Sequence, residues 1–214
     1  MGALEPVQRR ISWTGVLEDD TRALLLGFGR ADIWQHARAV ALKAQDLAQR
    51  FGISEADART AALLHDLAWI WPSAQMLEVA RDLHLDVLEA EESLPMLLHQ
   101  KLGAKMAREL FDVNPAVSQA ISCHTTLKAS PSPLEQIVFL ADKLAPFEGD
   151  TPSYLPALEA ALACSLENGT LIFLKYLWDV RPSMAVVHPW LEAAWAENRT
   201  SSVFQAIQVT LEPS

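Results

Sequence analysis

Cysteine is scarce in this chain of 214 residues: only Cys123 and Cys164 are present. Two thiols at that spacing build neither a disulfide framework nor a zinc motif, so a reducing compartment, the cytoplasm, is expected. Positive charge is short too, with 17 Lys and Arg against 27 Asp and Glu for a net charge of −10. Nucleic-acid polymers are bound largely by neutralising phosphates with Lys and Arg, so they are excluded as the expected partner. Long apolar runs are missing as well. Leu24-Leu25-Leu26-Gly27-Phe28 and Ile137-Val138-Phe139-Leu140-Ala141 are among the longest, far below the ~20 residues of a membrane span. Met1 to Trp13 is broken by Glu5, Gln8, Arg9 and Arg10 and has no apolar core of a secretory signal. Strand-like alternation is scarce, and internal repeats and low-complexity tracts are absent. The length suits one domain with at most a small annex.

What is present is a helical period. Half the residues are hydrophobic and 21% are charged, the balance of a chain that buries a core. Ile33, Ala37, Val40, Ala44, Leu47 and Phe51 recur at steps of three or four, predicting a helix over 32–51 with Asp32 as N-cap and Gly52 as its stop. A second helix is predicted from the Ser54 and Asp57 capping pair through Ala61, Leu64 and Leu67 to the Trp71-Pro72 break. Others are expected near 73–84, 94–111, 115–124, 133–145, 154–166, 169–179, 189–197 and 202–210. Asn114-Pro115 and Ser132-Pro133 each pair a capping residue with proline at the first helical position. The fold class is therefore all-α, one bundle of about eight to ten helices.

Six histidines are present: His36, His65, His84, His99, His124 and His188. His36 lies three residues after Ile33 and four before Val40, on the buried stripe of its helix. His99 shares a face with Met96, Leu102, Gly103 and Met106, and His124 with Val117, Ala120 and Ile121. His65 and Asp66 sit within Ala61-Ala62-Leu63-Leu64-His65-Asp66-Leu67-Ala68, and Asp142 follows the apolar run ending at Ala141. Singly, each has a bland explanation as a hydrogen-bonded core histidine or an ion-paired or capping aspartate. Together, two buried carboxylates with no buried Lys or Arg alongside carry a desolvation cost of several kcal/mol, which a divalent cation resolves. Imidazole and carboxylate suit Fe, Mn, Zn or Co, and six such groups exceed one tetrahedral zinc. The count favours two metals sharing a bridging carboxylate.

The order His36, then Ala62-Leu63-Leu64-His65-Asp66, then Asp142 resembles the HD superfamily of metal-dependent phosphohydrolases. Leu97-Leu98-His99-Gln100-Lys101-Leu102-Gly103-Ala104, Ala120-Ile121-Ser122-Cys123-His124-Thr125-Thr126 and Phe139-Leu140-Ala141-Asp142-Lys143-Leu144-Ala145-Pro146 look like its YqeK-type branch, whose members hydrolyse diadenosine tetraphosphate symmetrically to two ADP. The likeness is good over 30–150 and weak through Val187-His188-Pro189 to Asn198. It implies a lead-in of helices over 1–30, an HD core over 31–150 and C-terminal helices over 151–214. It implies that His36, His65, Asp66 and Asp142 hold one metal, that His99 and His124 serve a second, and that Asp66 bridges. Two such ions acidify a bridging water and polarise phosphoryl oxygens. Iron is the first expectation, with manganese, cobalt or zinc as alternatives. Asp66 and Lys143 are the expected catalytic residues, and the expected partner is a small nucleotide, with a homodimer left open.

This chain departs from the family where Trp69 replaces a lysine, Gln100 and Leu127 replace glycines, and Ala145-Pro146-Phe147-Glu148 replaces Glu-Pro-x-Arg. Lys101, Lys105 and Lys128 are candidate replacement cations, with Lys101 and Lys128 taken as substrate-binding. A metal-retaining nucleotide-binding protein without turnover and a simple nucleotide phosphatase are the competing readings. Trp69 and Trp71 are read either as a base-stacking wall or as core. His84 is expected to be structural or exposed, His188 to stand at a helix start, and Cys123 to be a small buried hydrophobe.

Overall fold

Local start and stop signals divide the chain into twelve α-helices, with no strand among the described residues, 2–145 and 151–199 of a computed structural model. They are α1 (Glu5–Gln8), α2 (Leu17–Gly27), α3 (Ala31–Phe51), α4 (Glu55–Leu64), α5 (Ser73–Asp82), α6 (Glu89–Ser93), α7 (His99–Phe111), α8 (Pro115–Ser122), α9 (Pro133–Leu144), α10 (Leu155–Leu162), α11 (Leu166–Val180) and α12 (Pro189–Asn198). The all-α expectation holds. The predicted helix over 202–210 lies outside the described residues, as does the stretch 146–150 that carries Glu148.

Capping chemistry explains most boundaries. Asn114 accepts from the Val117 N–H at 3.0 Å to start α8. Ser132 and Glu135 exchange hydrogen bonds in a full capping box that starts α9. Ser54 accepts from the Asp57 N–H at 3.2 Å, and Gly52 closes α3 in the left-handed region at φ 71°. Asp32 is not the N-cap of α3. That position belongs to Arg30, and Asp32 lies in the first turn.

The second predicted helix is shorter than its apolar pattern. α4 ends at Leu64, and a 3-10 turn over Leu67–Ile70 follows. Adjacent side chains on a continuous α-helix diverge by about 100°, so His65 and Asp66 cannot share a target there. The break after Leu64 lets both turn inward. The 94–111 segment behaves alike: Pro95–Leu98 is a 3-10 turn, and α7 begins at His99. Farther on, Ser165 accepts from the Asn168 N–H and starts α11, moving the α10/α11 break ahead of its predicted place.

α3, α4, α8 and α9 pack on one another, while α7 lies against α8 and the 3-10 turn at 67–70. The predicted stripe of α3 is the observed one: Ile33, Ala37, Val40, Ala44 and Leu47 are buried. α7 approaches the α4 terminus at Gly103, where an added Cβ would stand 2.7 Å from the backbone oxygen of His65. That atom belongs to backbone and cannot swing away. Gly103→Ala is therefore expected to lower the unfolding free energy by about 1–3 kcal/mol, as measured by urea denaturation. An unchanged midpoint would show that α7 is free to retreat.

Candidate metal centre

Five stretches of chain converge on one cavity of about 530 Å³. His36 comes from the buried face of α3, His65 and Asp66 from the break after α4, and His99 from the first residue of α7. His124 and Thr125 come from the turn after α8, and Asp142 and Lys143 from the last turns of α9. His65 is fully buried beneath the cavity, and His36, Asp66, His99 and His124 are each at most 6% exposed.

Asp66 stands at the centre with its two oxygens facing different partners. Its Oδ2 lies 3.3 Å from His65 Nε2 and 4.0 Å from His36 Nε2. Its Oδ1 lies 3.5 Å from His124 Nε2 and 3.7 Å from His99 Nε2. Asp142 Oδ1 closes the first side, 2.9 Å from His36 Nε2 and 3.7 Å from His65 Nε2. His36, His65 and Asp66 form one group whose ligand atoms lie within 4.8 Å of one another, and Asp66, His99 and His124 form another.

Three of the imidazoles are set the same way. His65, His99 and His124 each place Nδ1 on the backbone oxygen three residues earlier, that of Ala62, Met96 and Ile121, at 2.7, 2.6 and 2.8 Å. A carbonyl only accepts, so Nδ1 donates its N–H, and in His99 and His124, which burial keeps neutral, Nε2 presents a lone pair to the cavity. His99 Nε2 and His124 Nε2 face each other at 3.1 Å. His65 Nε2 has no hydrogen-bond partner. Lone pairs and carboxylates thus point at a common space, which suits a cation.

The titration behaviour agrees. Burial lowers the pKa of His65, yet the carboxylates of Asp66 and Asp142 outweigh it and raise the ring to about 10. Burial, then the neighbouring His124, pulls His99 down to about 4, and burial also lowers His124. For Asp66 burial opposes ionisation, but the His65 charge first, with the His124 and His99 rings close by, holds the carboxyl well below its usual range. Asp142 is held down against burial by the Lys143 ammonium first. Both carboxylates are ionised, and the proton on His65 sits where they require positive charge. Nitrogen and oxygen donors with fixed tautomers fit a transition-metal centre.

Asp142 has the cationic neighbour that its apolar surroundings concealed, because Lys143 pairs with its Oδ2. Arg30, which its sequence position did not single out, lines the cavity. Its guanidinium clasps Asp32 at 3.1 and 2.9 Å and donates to the Trp69 carbonyl. Tyr154 lines the cavity as well and donates to the Lys143 carbonyl at 3.1 Å. It follows the weakly marked loop after α9, and no motif announced it. Trp69 stands at the cavity wall and donates its indole N–H to Asp66 Oδ1 at 3.0 Å. Trp71 packs against the core instead.

The expected substrate lysines sit elsewhere. Lys101 binds buried Glu91 at 2.8 Å and the Asp86 carbonyl at 3.0 Å, beside the Trp190 ring. Lys128 pairs with Glu135 at 2.7 Å, and Lys105 with Glu109. None of the three lines the cavity. Lys105 has its i,i+4 neighbour on α7, while the Lys101 and Lys128 pairs join separate segments, which spacing alone does not reveal. His188 caps α12 and also meets Glu91 at 3.3 Å. His84 is exposed. Burial pushes the Cys123 thiol up to about 12, so it stays a neutral, packed group.

The HD domain family model matches residues 33–146. An uncharacterised protein encoded in the pepC 5' region of Lactococcus lactis subsp. cremoris is 36% identical over 65% of this chain and 71% of its own length. A symmetrical bis(5'-nucleosyl)-tetraphosphatase of Halalkalibacterium halodurans is 34% identical over 70% of this chain and 83% of its own. The crystal structure of a predicted HD superfamily hydrolase involved in NAD metabolism from Clostridium acetobutylicum superposes with a TM-score of 0.77. It is 23% identical and covers 88% of this chain and 98% of that one.

The pairing of Lys101 has a direct consequence. Removing the ammonium leaves a fully buried Glu91 with only the Leu88 N–H and the His188 ring, so Lys101→Met is expected to cost about 3 kcal/mol of stability in chemical denaturation. The KM for a nucleotide substrate should stay unchanged in the fraction that remains folded. A raised KM with intact stability would return Lys101 to the substrate site.

Proposed function

The chain belongs to the HD domain family, and from that premise we propose a metal-dependent phosphohydrolase that cuts diadenosine tetraphosphate symmetrically into two ADP. The observation that carries the metal reading is the orphaned Nε2 of His65 beneath two ionised carboxylates, with the His99 and His124 lone pairs opposite. The substrate is supported by the symmetrical tetraphosphatase that covers most of the chain.

In this reading His36, His65, Asp66 and Asp142 would hold one ion, and His99 and His124, with Asp66 between the two groups, would hold a second. Two such ions supply Lewis acidity and positive charge, and they acidify water near neutral pH. Iron is our first assignment, and manganese, cobalt or zinc also suit this nitrogen and oxygen set. The proposed ligands all lie between 36 and 142, inside the unit we assign to 31–150, with 1–30 and 151–214 as flanking helices.

The residues around the ions bind and orient. Asp32, Asp66 and Asp142 outnumber Arg30 and Lys143 among the charged groups lining the cavity. With His65 protonated beneath them the site is close to neutral without ions, so the attraction for a polyphosphate comes chiefly from the ions. Lys143, at the rim and paired with Asp142, is placed to meet phosphate charge, as is Arg30 with the N–H groups that Asp32 and Trp69 leave free. Neither Lys101 nor Lys128 enters this account.

One observation favours the reading without turnover: the lysine expected beside the phosphates is Trp69, and both cavity cations are engaged by aspartates. The experiment that decides begins with protein purified without chelator. Elemental analysis is expected to give close to two transition-metal equivalents per chain. Chromatography of diadenosine tetraphosphate incubations with iron, manganese or cobalt should show ADP alone, not ATP with AMP. His99→Ala and His124→Ala should each lose about one equivalent and lower kcat at least about a hundredfold, the upper end of what even an outer-shell partner is worth. Nucleotide binding with no ADP under any of the three metals would establish the reading without turnover. Release of phosphate from mononucleotides only would establish the simple phosphatase.

A further inference from the structure

Trp69 touches only one half of the centre. Its indole N–H donates to Asp66 Oδ1 at 3.0 Å, the oxygen that faces His99 and His124. Its ring lies on the His99 imidazole with centroids 4.9 Å apart and planes tilted by 30°. Among the described contacts it meets none of His36, His65 and Asp142.

The indole is held from the backbone as well. The Trp69 N–H bonds the Asp66 carbonyl at 3.1 Å, the first link of the 3-10 turn. The Trp69 carbonyl receives the Arg30 guanidinium, itself clasped by Asp32. A donor fixed this way sets the rotation of the carboxylate about its Cβ–Cγ bond. The two oxygens of Asp66 then diverge toward the two histidine groups instead of turning together toward His65.

The chemistry of the donor matters. An ammonium at this place would neutralise Asp66 and compete with a cation for it. An indole N–H is a neutral donor: it orients the carboxylate, leaves its full negative charge in place and cannot titrate. We infer that Trp69 is a positioning residue for the metal subsite of Asp66 Oδ1, His99 and His124, favouring retention of the ion there over an extra charge for the substrate. The inference rests on the metal reading above.

The test uses the full chain stripped of metal and titrated with cobalt(II). Stepwise affinities come from competition with a chromophoric chelator, and the ligand field from the cobalt visible spectrum. Trp69→Phe keeps a ring over His99 and removes the donor. One of the two binding steps is expected to weaken by about 10–100-fold, the range found when a hydrogen-bond partner of a metal ligand is lost. The other step should be unchanged, and the spectrum of the weakened site alone should shift. Trp69→Gln, which keeps an N–H donor without the ring, should recover most of that loss, and it also serves where the Phe variant does not fold. Two unchanged steps in Trp69→Phe would overturn the inference, as would an equal fall in both steps tracking a lower melting temperature of the metal-free protein. A loss as large in Trp69→Gln as in Trp69→Phe would also overturn it. Failure of the wild-type chain to bind cobalt at all would remove the metal reading itself, a separate result.

Discussion

Everything in this bundle is arranged around an ionised carboxylate that should not be buried. Asp66 is 6% exposed, and the cost of removing such a charge from water is several kcal/mol unless it is surrounded by partners. The partners are recruited from every element within reach: His65 from its own turn, His99 from α7, His124 from the turn after α8, and the indole of Trp69 three residues on. Helix breaks that look like irregularities serve this end. α4 stops at Leu64 so that two consecutive residues face one way, and Gly103 lets α7 press its backbone against the same turn.

The framework was legible because it rests on local signals. Periodic apolar residues marked the inner face of α3, and Asn114-Pro115 and Ser132-Pro133 marked the starts of α8 and α9 within a residue. The six inward groups were legible for the same reason, since a histidine or aspartate on an apolar stripe has nowhere else to point. What stayed hidden depends on long-range contact. Lys101 carries no mark of Glu91 ten residues away across a loop. Arg30 and Tyr154 reach the cavity only because α3 and α9 meet there. The stop of α4 was masked by Leu67 and Ala68, which continue the apolar pattern through a 3-10 turn.

The excess of acidic residues in the sequence reappears at small scale in the cavity. Its carboxylates outnumber its cations, and both cations are bound to aspartates. Charge of this kind makes anion binding conditional. A lining with free lysines would attract phosphates with or without ions; under the proposed function this one leaves that attraction to ions held by the histidine and aspartate set.

The three carbonyl-tethered histidines carry one further consequence. Each imidazole is anchored to the backbone of its own turn, three residues back, so ring and anchor travel as one rigid piece. Side-chain rotamer freedom is surrendered when the turn forms, before any ion arrives, and little of it remains to be lost on binding. A tilt of α7 or α8 would carry the ring with it and could not be taken up by rotation of the side chain. The geometry of the centre is thereby set by how these turns pack, with little left to rotamer choice at the ligands.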